Sequence, residues 1–347
     1  MEHTTIAVDL AKSVFQVAVS HRPGRVDEEH RLTRARVLRF FAERPAATVL
    51  LEACGSAHHW GRELERLGHT VQLLPPYDVH RYVRRSKTDR ADANALLEAA
   101  RNDEIHPVPV NTVSQQALTT LHRIRSTWQA TRIMRLNSLR GLLREFGVTI
   151  PAGAHHVVPR VRALLEDPEA PVPMSIRPSL AVLCDEVRRL EDQINDLDRQ
   201  LAQLAKQLPL VAHLRTIPGV GLLTATALVA CVGDVRRFPS GRYFASDLGL
   251  TPKEHSSGSR RRLGGISKQG DRYLRTLLIH GARSVLWRAK SQPTPDAFRT
   301  WALAVERRRG HNKAAVAVAN KLARRIWRIW QSDRPFCESP HAASHAA

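Results

Sequence analysis

Cysteine is scarce in this chain, and its few cysteines are scattered. Four occur among 347 residues, at Cys54, Cys184, Cys231 and Cys337, and no two of them form a CxxC pair. This pattern argues against a disulfide-stapled fold and against a cysteine-rich zinc site. A chain of this length can bury a stable core without such cross-links, so we expect a protein of a reducing compartment, the cytoplasm.

Long hydrophobic runs are also missing. The longest, at 49–51 and 222–232, are too short or too polar to span a bilayer. The first residues, 1–3, lack the basic and apolar regions of a signal peptide. A membrane-spanning or exported protein is therefore not expected, although a basic last helix leaves membrane-surface binding as a minor alternative.

Acidic residues are outnumbered by basic ones. Lys and Arg total 53 against 33 Asp and Glu, which gives a formal net charge of +20. A charge of this size informs about partners rather than fold, while the hydrophobic content of 43% is normal for a globular protein. We expect a polyanionic partner, a nucleic acid.

The N-terminal third alternates predicted strands with predicted helices, which indicates a mixed α/β architecture. A boundary is expected near 107–110, where the pattern ends. The predicted strands cover 5–9, 14–19, 48–52 and 71–74, and the predicted helices cover 33–43, 57–67 and 88–101.

The middle of the chain is predicted to be helical over 112–147 and a proline-rich linker over 151–178. Apolar residues from Leu180 to Leu208 then recur at alternating steps of three and four, which is the a/d pattern of four heptads. Either residues 115–147 of the same chain or the same segment of another subunit could cover this seam. The 3.5-residue period favours a long supercoil, and hence association between subunits.

The C-terminal part is predicted to be mostly helical. A compact, glycine-punctuated basic region covers 213–285, and a last helical pair covers 297–331. Together these features predict four parts: an α/β part over 1–108, a helical, coiled-coil middle over 109–210, a C-terminal part over 211–334 and a disordered tail over 335–347.

Four carboxylates stand where they could converge. Asp9 and Glu52 each end an apolar strand, and Asp89 and Asp92 share one face at the start of a helix. Carboxylates held close together repel unless a divalent cation lies between them, and Mg²⁺ suits such oxygen ligands; two such ions catalyse phosphoryl transfer. The alternative is that Asp89 favours the helix dipole, Asp92 is a surface residue and Asp9 caps a turn.

A Gly-Val-Gly turn lies between two predicted helices. Gly219 and Gly221 follow Ile217 and Pro218 and precede an apolar helix. Such a turn points free amide groups at an anion, as in the helix-hairpin-helix module that grips a nucleic-acid backbone. The alternative is a plain loop between two core helices.

A serine pair occupies a glycine-rich, arginine-rich segment. Ser256 and Ser257 precede Gly258. A serine nucleophile needs activation and nearby cations to hold a phosphate during transfer; the alternative is a flexible basic loop that only touches backbone. The candidate cations are Arg260, Arg261, Arg262, Lys268, Arg272 and Arg275.

With these motifs, nearly the whole chain resembles the DEDD transposases of insertion-sequence family one-hundred-and-ten, and most closely their eleven-eleven subgroup, which are relatives of the Piv DNA invertases. The segments that carry the resemblance are 7–12, 51–58, 87–93, 217–221, 249–252, 256–258 and 266–275.

The resemblance implies an N-terminal domain like the RuvC junction resolvase, of ribonuclease-H-like fold, whose acidic tetrad falls on Asp9, Glu52, Asp89 and Asp92 and binds Mg²⁺. It implies a coiled-coil middle for subunit association. It also implies a C-terminal transposase domain whose serine forms a covalent link to DNA. By its position next to Gly258 that serine is Ser257, with Ser256 as the alternative.

The family is guided by a structured non-coding (bridge) RNA that pairs with donor and target DNA. The resemblance therefore predicts a DNA- and RNA-binding homo-oligomer, a dimer or tetramer, in the cytoplasm and associated with the nucleoid. Two other functions remain open from the residues. One is a metal-dependent junction resolvase or nuclease that uses water, and the other is a non-catalytic nucleic-acid-binding protein.

Overall fold

A computed structural model describes residues 4–83 and 88–336 of the chain. A five-stranded sheet forms its N-terminal part, in the spatial order β3-β2-β1-β4-β5. Strand β1 runs parallel to β4, and β4 to β5, whereas β2 is antiparallel to both of its neighbours. The strands are β1 (Thr5–Asp9), β2 (Val14–Ser20), β3 (Glu28–Thr33), β4 (Thr48–Glu52) and β5 (Thr70–Leu74).

The predicted strands are confirmed to within one residue at each end, but β3 was not predicted. Its sequence is almost entirely polar and it lies at the sheet edge, where no apolar face is required. The helix expected over 33–43 is shorter, because a 3₁₀ turn over Arg34–Arg36 precedes helix α1 (Val37–Ala42).

Both faces of the sheet are covered, which explains why its central strands are apolar throughout. Side chains alternate between the two faces along each strand. Helices α1 and α2 (Ala57–Arg66) pack on the face of Val8 and Leu51. Helix α4 (Asp89–Ala99), which follows the short α3 (Pro76–Val79), packs on the face of Ala7 and Leu50.

Two long helices form the middle of the chain. Helix α5 (Val113–Arg144) starts at a capping box between Thr112 and Gln115, and α7 (Arg177–Lys206) packs along it. Arg125 and Arg132 of α5 form ion pairs with Asp198 and Glu191 of α7 at 2.6 and 2.5 Å.

The heptad seam of α7 is therefore covered, at least in part, by α5 of the same chain. Leu180, Val187 and Leu197 are buried, whereas Leu183 and Leu190 stay half-exposed. This is the intrachain alternative that the spacing left open. Association between subunits through this seam remains a prediction.

The proline-rich segment is more ordered than a linker. It contains helix α6 (Val157–Glu166), whose buried Val157 and Val161 pack with residues of α5 and α7. The buried Arg177 donates hydrogen bonds to the carbonyls of Leu165 and Asp167 at 3.2 and 2.7 Å, which fixes the loop before α7.

The C-terminal region is helical and encloses its own core. Helix α9, which is apolar except for two threonines, is buried over most of its length, as its composition requires. None of the described helices combines the length and the apolar character needed to cross a membrane. The elements are α8 (Pro209–Arg215), α9 (Leu222–Val232), α10 (Gly241–Asp247), the hairpin of β6 (Pro252–Glu254) and β7 (Leu263–Ile266), α11 (Arg272–Ser291), α12 (Ala297–Arg309) and α13 (His311–Ser332).

Phe336, which falls inside the predicted disordered tail, has defined contacts in the structure. Phe336 packs against the C-terminal core, and its amide donates a 2.7 Å hydrogen bond to Thr216 Oγ1. The remainder of that predicted tail, 337–347, lies outside the described residues, as does Lys87 of the 87–93 motif.

Candidate active site

Two of the four predicted acids lie side by side at one edge of the sheet. The β1–β4 pairing runs from Thr5 opposite Thr48 to Val8 opposite Leu51, so the next pair along the strands is Asp9 and Glu52. Both side chains stand on the sheet face that α4 covers, because they follow Ala7 and Leu50 by two residues. We call this place, where β1 and β4 end, the acid edge.

Helix α4 brings the other two acids toward the same edge. Its C-terminal Leu97 and the following Arg101 line a cleft with Thr5, the first residue of β1, so α4 runs antiparallel to β1 and begins near the acid edge. The Thr88 hydroxyl caps the helix by accepting from the Ala91 amide at 3.2 Å. This cap places Asp89 at the first helical position and Asp92 one turn later.

The environment of the acid edge suits a cation. Asp92 Oδ1 is buried without a hydrogen-bond partner among the described residues, and a buried oxygen in that state is costly unless a donor or cation meets it. Burial raises the pKa of the Cys54 thiol, and the charges of Glu52 and Asp9 raise it further, which shows that both carboxylates lie near this cysteine.

The four carboxylates share an edge without closing around one point. Within residues 4–83 and 88–336, no three His, Cys, Asp or Glu side chains stand close enough to hold a metal ion. A bound ion would have to draw them closer. The donor set fits Mg²⁺, since all four predicted ligands supply carboxylate oxygens.

The serine pair lies at the exposed tip of the β6–β7 hairpin. Ser257 and Arg260 exchange backbone hydrogen bonds of 3.3 and 3.1 Å across a two-residue turn, in which Gly258 takes a positive φ of 54°. Glycine suits that position because a side chain there would be strained.

The two serine hydroxyls differ in their contacts. Ser256 Oγ donates a 2.6 Å hydrogen bond to Glu254 Oε1 and accepts one of 3.1 Å from the Arg262 amide. The Ser257 hydroxyl makes no hydrogen bond to any described residue. Ser256 is thus part of the hairpin's own structure, and Ser257 is available to a ligand.

Most of the predicted cations are exposed around this hairpin, and Arg275 is the exception. The residue is 9% exposed, and its guanidinium donates to the carbonyls of Leu248 and Gln269 at 3.1 and 2.9 Å. We correct the prediction for Arg275, because a buried side chain that joins two loops cannot contact nucleic acid. The exposed cations are Arg260, Arg261, Arg262, Lys268 and Arg272.

The Gly-Val-Gly turn does join two helices, α8 and α9, but its glycines play different parts. A Cβ on Gly219 would lie 2.7 Å from Val285 Cγ2 and 2.8 Å from the Gly281 carbonyl, so this glycine permits close packing against α11. Gly221 precedes α9, is exposed and has open space beside it. Core packing accounts for Gly219, and anion binding by this turn stays a prediction.

A hydrogen bond connects the C-terminal region to the sheet. Gln269 Nε2 donates to the Tyr77 hydroxyl at 3.0 Å, and Tyr77 lies just beyond the end of β5. No described hydrogen bond or ion pair joins Ser257 to the predicted acids. The segment that follows the serine hairpin is therefore anchored beside the sheet, while the tip of the hairpin is exposed.

Sequence reasoning missed a polar cleft of 440 Å³ beside the acid edge. Its lining begins with Ala53 and Cys54, which directly follow Glu52, and includes Arg62 and Arg123. Each arginine lies on a helix that carries other arginines, and no local motif distinguishes it. Their proximity arises only when α2 and α5 pack together.

Comparison with known proteins shows where this chain belongs. Residues 6–148 match a family model for DEDD transposases of the IS110 type, and residues 211–298 match one described as "Transposase IS116/IS110/IS902 family". A "Probable family 20 transposase" of Pseudomonas aeruginosa is 42% identical over 98% of this chain and 100% of its own length.

Two further relatives agree with this result. The "Transposase for insertion sequence element IS1111A" of Coxiella burnetii is 37% identical over 93% of this chain and 88% of its own length. The "Pilin gene-inverting protein" of Moraxella bovis is 26% identical over 84% and 83%. The chain belongs to the IS116/IS110/IS902 family of transposases.

Proposed function

We propose that this transposase is an RNA-guided, Mg²⁺-dependent DNA recombinase that cuts and joins DNA through a serine–phosphate intermediate. The observation that carries the proposal is the acid edge, where Asp9 and Glu52 end adjacent parallel strands and α4 begins. The sheet order, with one antiparallel strand beside β1, supports the ribonuclease-H-like expectation.

Asp9, Glu52, Asp89 and Asp92 would hold the metal. Bound Mg²⁺ supplies positive charge to a phosphate that is under attack. The unsatisfied Asp92 Oδ1 supports this role, because it is an acceptor already placed on the buried side of the edge.

Ser257 is the proposed nucleophile. Its Oγ forms a bond to phosphorus as one phosphorus–oxygen bond of the DNA backbone breaks; the serine proton passes to a base, and the departing sugar oxygen takes up a proton. The number of phosphate ester bonds stays the same. A hydroxyl of a second DNA end can therefore attack the phosphoserine, form a new backbone bond and release the serine. Arg260, Arg261 and Arg262 stabilise the negative charge on the phosphate in transit.

The acid edge and Ser257 lie in different regions of the chain, so the reaction needs them to meet. We propose that they do so in a homo-oligomer bound to donor DNA, target DNA and a bridge RNA. The net charge of +20 supports two nucleic-acid partners. We expect the complex in the cytoplasm, on the nucleoid.

A water-using junction resolvase is the second candidate, and a specific observation favours it. Ser257 lies at an exposed hairpin tip, where its hydroxyl meets no base among the described residues, so water at the acid edge is an alternative nucleophile. Purified protein, junction DNA, the RNA transcribed from the element's flank and Mg²⁺ would separate the two. A denaturation-resistant protein–DNA adduct that requires both RNA and Mg²⁺ supports the recombinase; cleavage without an adduct supports the resolvase.

A further inference from the structure

The cleft beside the acid edge continues into a second one. The first, of 440 Å³, lies between the start of α2 and α5. The second, of 620 Å³, lies between α5 and the start of α11. Arg123 lines both, so the two clefts adjoin at its side chain, and we call the pair the α5 groove.

The charge of Arg123 reaches both halves of this groove. Burial lowers the pKa of His58 in the first half, and the charges of Arg62 and Arg123 lower it further. Burial raises the pKa of Cys231 in the second half to about 12, and the charge of Arg123 opposes this rise. The guanidinium therefore stands at the junction of the two clefts.

Arg123 also differs from its neighbours on α5. Arg125 and Arg132 are neutralised by ion pairs to α7. Arg123 is exposed, and its guanidinium makes no hydrogen bond or ion pair with any described residue. Its charge is therefore available to a ligand in the groove.

The remaining lining suits a sugar–phosphate chain. Arg272 contributes a second cation to the second cleft. The hydroxyls of Thr127 and Thr276 also line it, but each donates to a carbonyl of its own helix, at 3.1 and 2.8 Å. The carboxylate in that lining, Asp271, accepts the amides of Tyr273 and Leu274 at 2.7 and 3.0 Å. The two arginines are therefore the groups that would contact a nucleic-acid backbone.

The first cleft also offers an unsatisfied acceptor. Gln116 Oε1 is buried and has no hydrogen-bond partner among the described residues. Opposite it, Arg62 is held in place by a 2.7 Å hydrogen bond from its Nη1 to the Asn111 carbonyl. A ligand that offers both a hydrogen-bond donor and an anion fits this wall, and a nucleotide does so through its base and its phosphate.

We propose that the α5 groove binds the unpaired DNA strand that leaves the acid edge, and that Arg123 holds a phosphate at its midpoint. The inference rests on the proposed function, in which DNA is cut at the acid edge. The groove starts there, because its lining residues Ala53 and Cys54 directly follow Glu52. Clefts of 440 and 620 Å³ are the size of ligand pockets. They accommodate a few nucleotides of a single strand but not a duplex.

The test measures binding of fluorescein-labelled single-stranded DNA to the full chain by anisotropy, across a range of salt concentrations. Arg123→Ala should weaken binding about tenfold and reduce the salt slope by about 0.7, the value for one phosphate contact to a single strand. Arg144→Ala is the matched control, because Arg144 is exposed on the same helix but outside the groove. Equal affinities of the two variants would overturn the proposal.

A second measurement does not depend on affinity. A photo-crosslinking residue in place of Thr127, which lines the second cleft, should label the DNA strand in wild-type background and lose that labelling with Arg123→Glu. Crosslinks to RNA in preference to DNA, or to a second copy of the protein, would overturn the assignment. If the wild type forms no serine–DNA adduct with junction DNA, the proposed function is refuted. Arg123-dependent binding of the strand would still support the α5 groove as its binding site.

Discussion

Gln269 donates a 3.0 Å hydrogen bond to the hydroxyl of Tyr77, and this contact joins the segment after the serine hairpin to the end of the N-terminal sheet. Tyr77 is itself held by Arg81, whose Nη2 donates to the same hydroxyl at 2.6 Å and whose guanidinium lies 4.3 Å from the ring centre. The contact anchors the base of the hairpin near the acid edge and leaves its tip exposed for a substrate.

Replacement of Asp92 by Asn should remove metal binding while the side chain keeps nearly the same size and shape. We expect adduct formation to fall on the order of 100-fold or more, the scale for one group that acts on transition-state charge. Mg²⁺ should raise the melting temperature of the wild type, because a ligand that binds only the folded state stabilises it.

Calorimetric scans with and without Mg²⁺ measure the expected rise in melting temperature. Glu98→Gln is the control, since Glu98 lies toward the opposite end of α4 and pairs with Arg101. If Mg²⁺ still raises the melting temperature of Asp92→Asn, the metal binds at another site.

Ser256 and Ser257 should differ sharply when each is replaced by Ala. Ser257→Ala should abolish the adduct. Ser256→Ala should retain it at a reduced rate, because it loses the contacts to Glu254 and Arg262 that shape the hairpin, each worth about 1 kcal/mol. Ser259→Ala, in the same exposed loop, is the control, and denaturing gels of labelled DNA give the readout. An adduct lost only in Ser256→Ala would reverse the assignment.

Gly219 and Gly221 should respond differently to the same substitution. Gly219→Ala should lower the free energy of unfolding by about 2–3 kcal/mol, because its φ of 89° and the contacts with Val285 and Gly281 leave no room for a methyl group. Gly221→Ala should cost about 1 kcal/mol or less, since it meets no steric clash and only replaces a moderately good N-cap residue of α9 by a poor one. Urea unfolding curves measure both losses. Equal losses would mean that the turn before α9 does not pack this closely on α11.

The buried His122 should make stability depend on pH. Its ring bonds to Tyr273 Oη at 2.9 Å and Thr226 Oγ1 at 3.0 Å, and burial, reinforced by the charge of Arg125, lowers its pKa to about 4. A depressed histidine pKa means that the unfolded chain binds the proton first. The stabilisation is therefore complete above the unfolded pKa of about 6.5 and is lost as the pH falls toward 4, by up to about 3 kcal/mol.

Unfolding of the wild type and of His122→Gln between pH 7 and pH 4 measures this contribution. The variant should show a flatter profile over that window. Glu28, whose pKa is lowered to about 2 by its hydrogen bonds to Arg44 and His30, begins to lose its stabilising contribution below pH 4.5. This loss is the same in both proteins and cancels from the comparison. Parallel profiles would show that His122 is accessible to protons in the folded protein.

The acid edge was predictable because each clue was local. An apolar run ending in Asp9 and another ending in Glu52 identify two strands, and parallel strands place their ends together. Strand β3 escaped prediction since its edge position imposes no apolar pattern on the sequence.

Other features depend on packing that a sequence does not display. The heptads of α7 show that some helix covers them, but not whether that helix belongs to the same chain. Arg275 follows Arg272 in a basic segment, yet helix geometry turns its side chain inward to the Leu248 carbonyl. Arg62 and Arg123, 61 positions apart, meet only through the packing of α2 and α5.

Mass spectrometry of the trapped complex tests the central claim most directly. The full chain would be mixed with junction DNA, flank RNA and Mg²⁺, denatured, and digested with protease and nuclease. The account predicts a nucleotide attached to the peptide that carries Ser257, absent when Mg²⁺ is chelated. DNA that is cut while every serine peptide remains unmodified would contradict it and would assign the reaction to water at the acid edge.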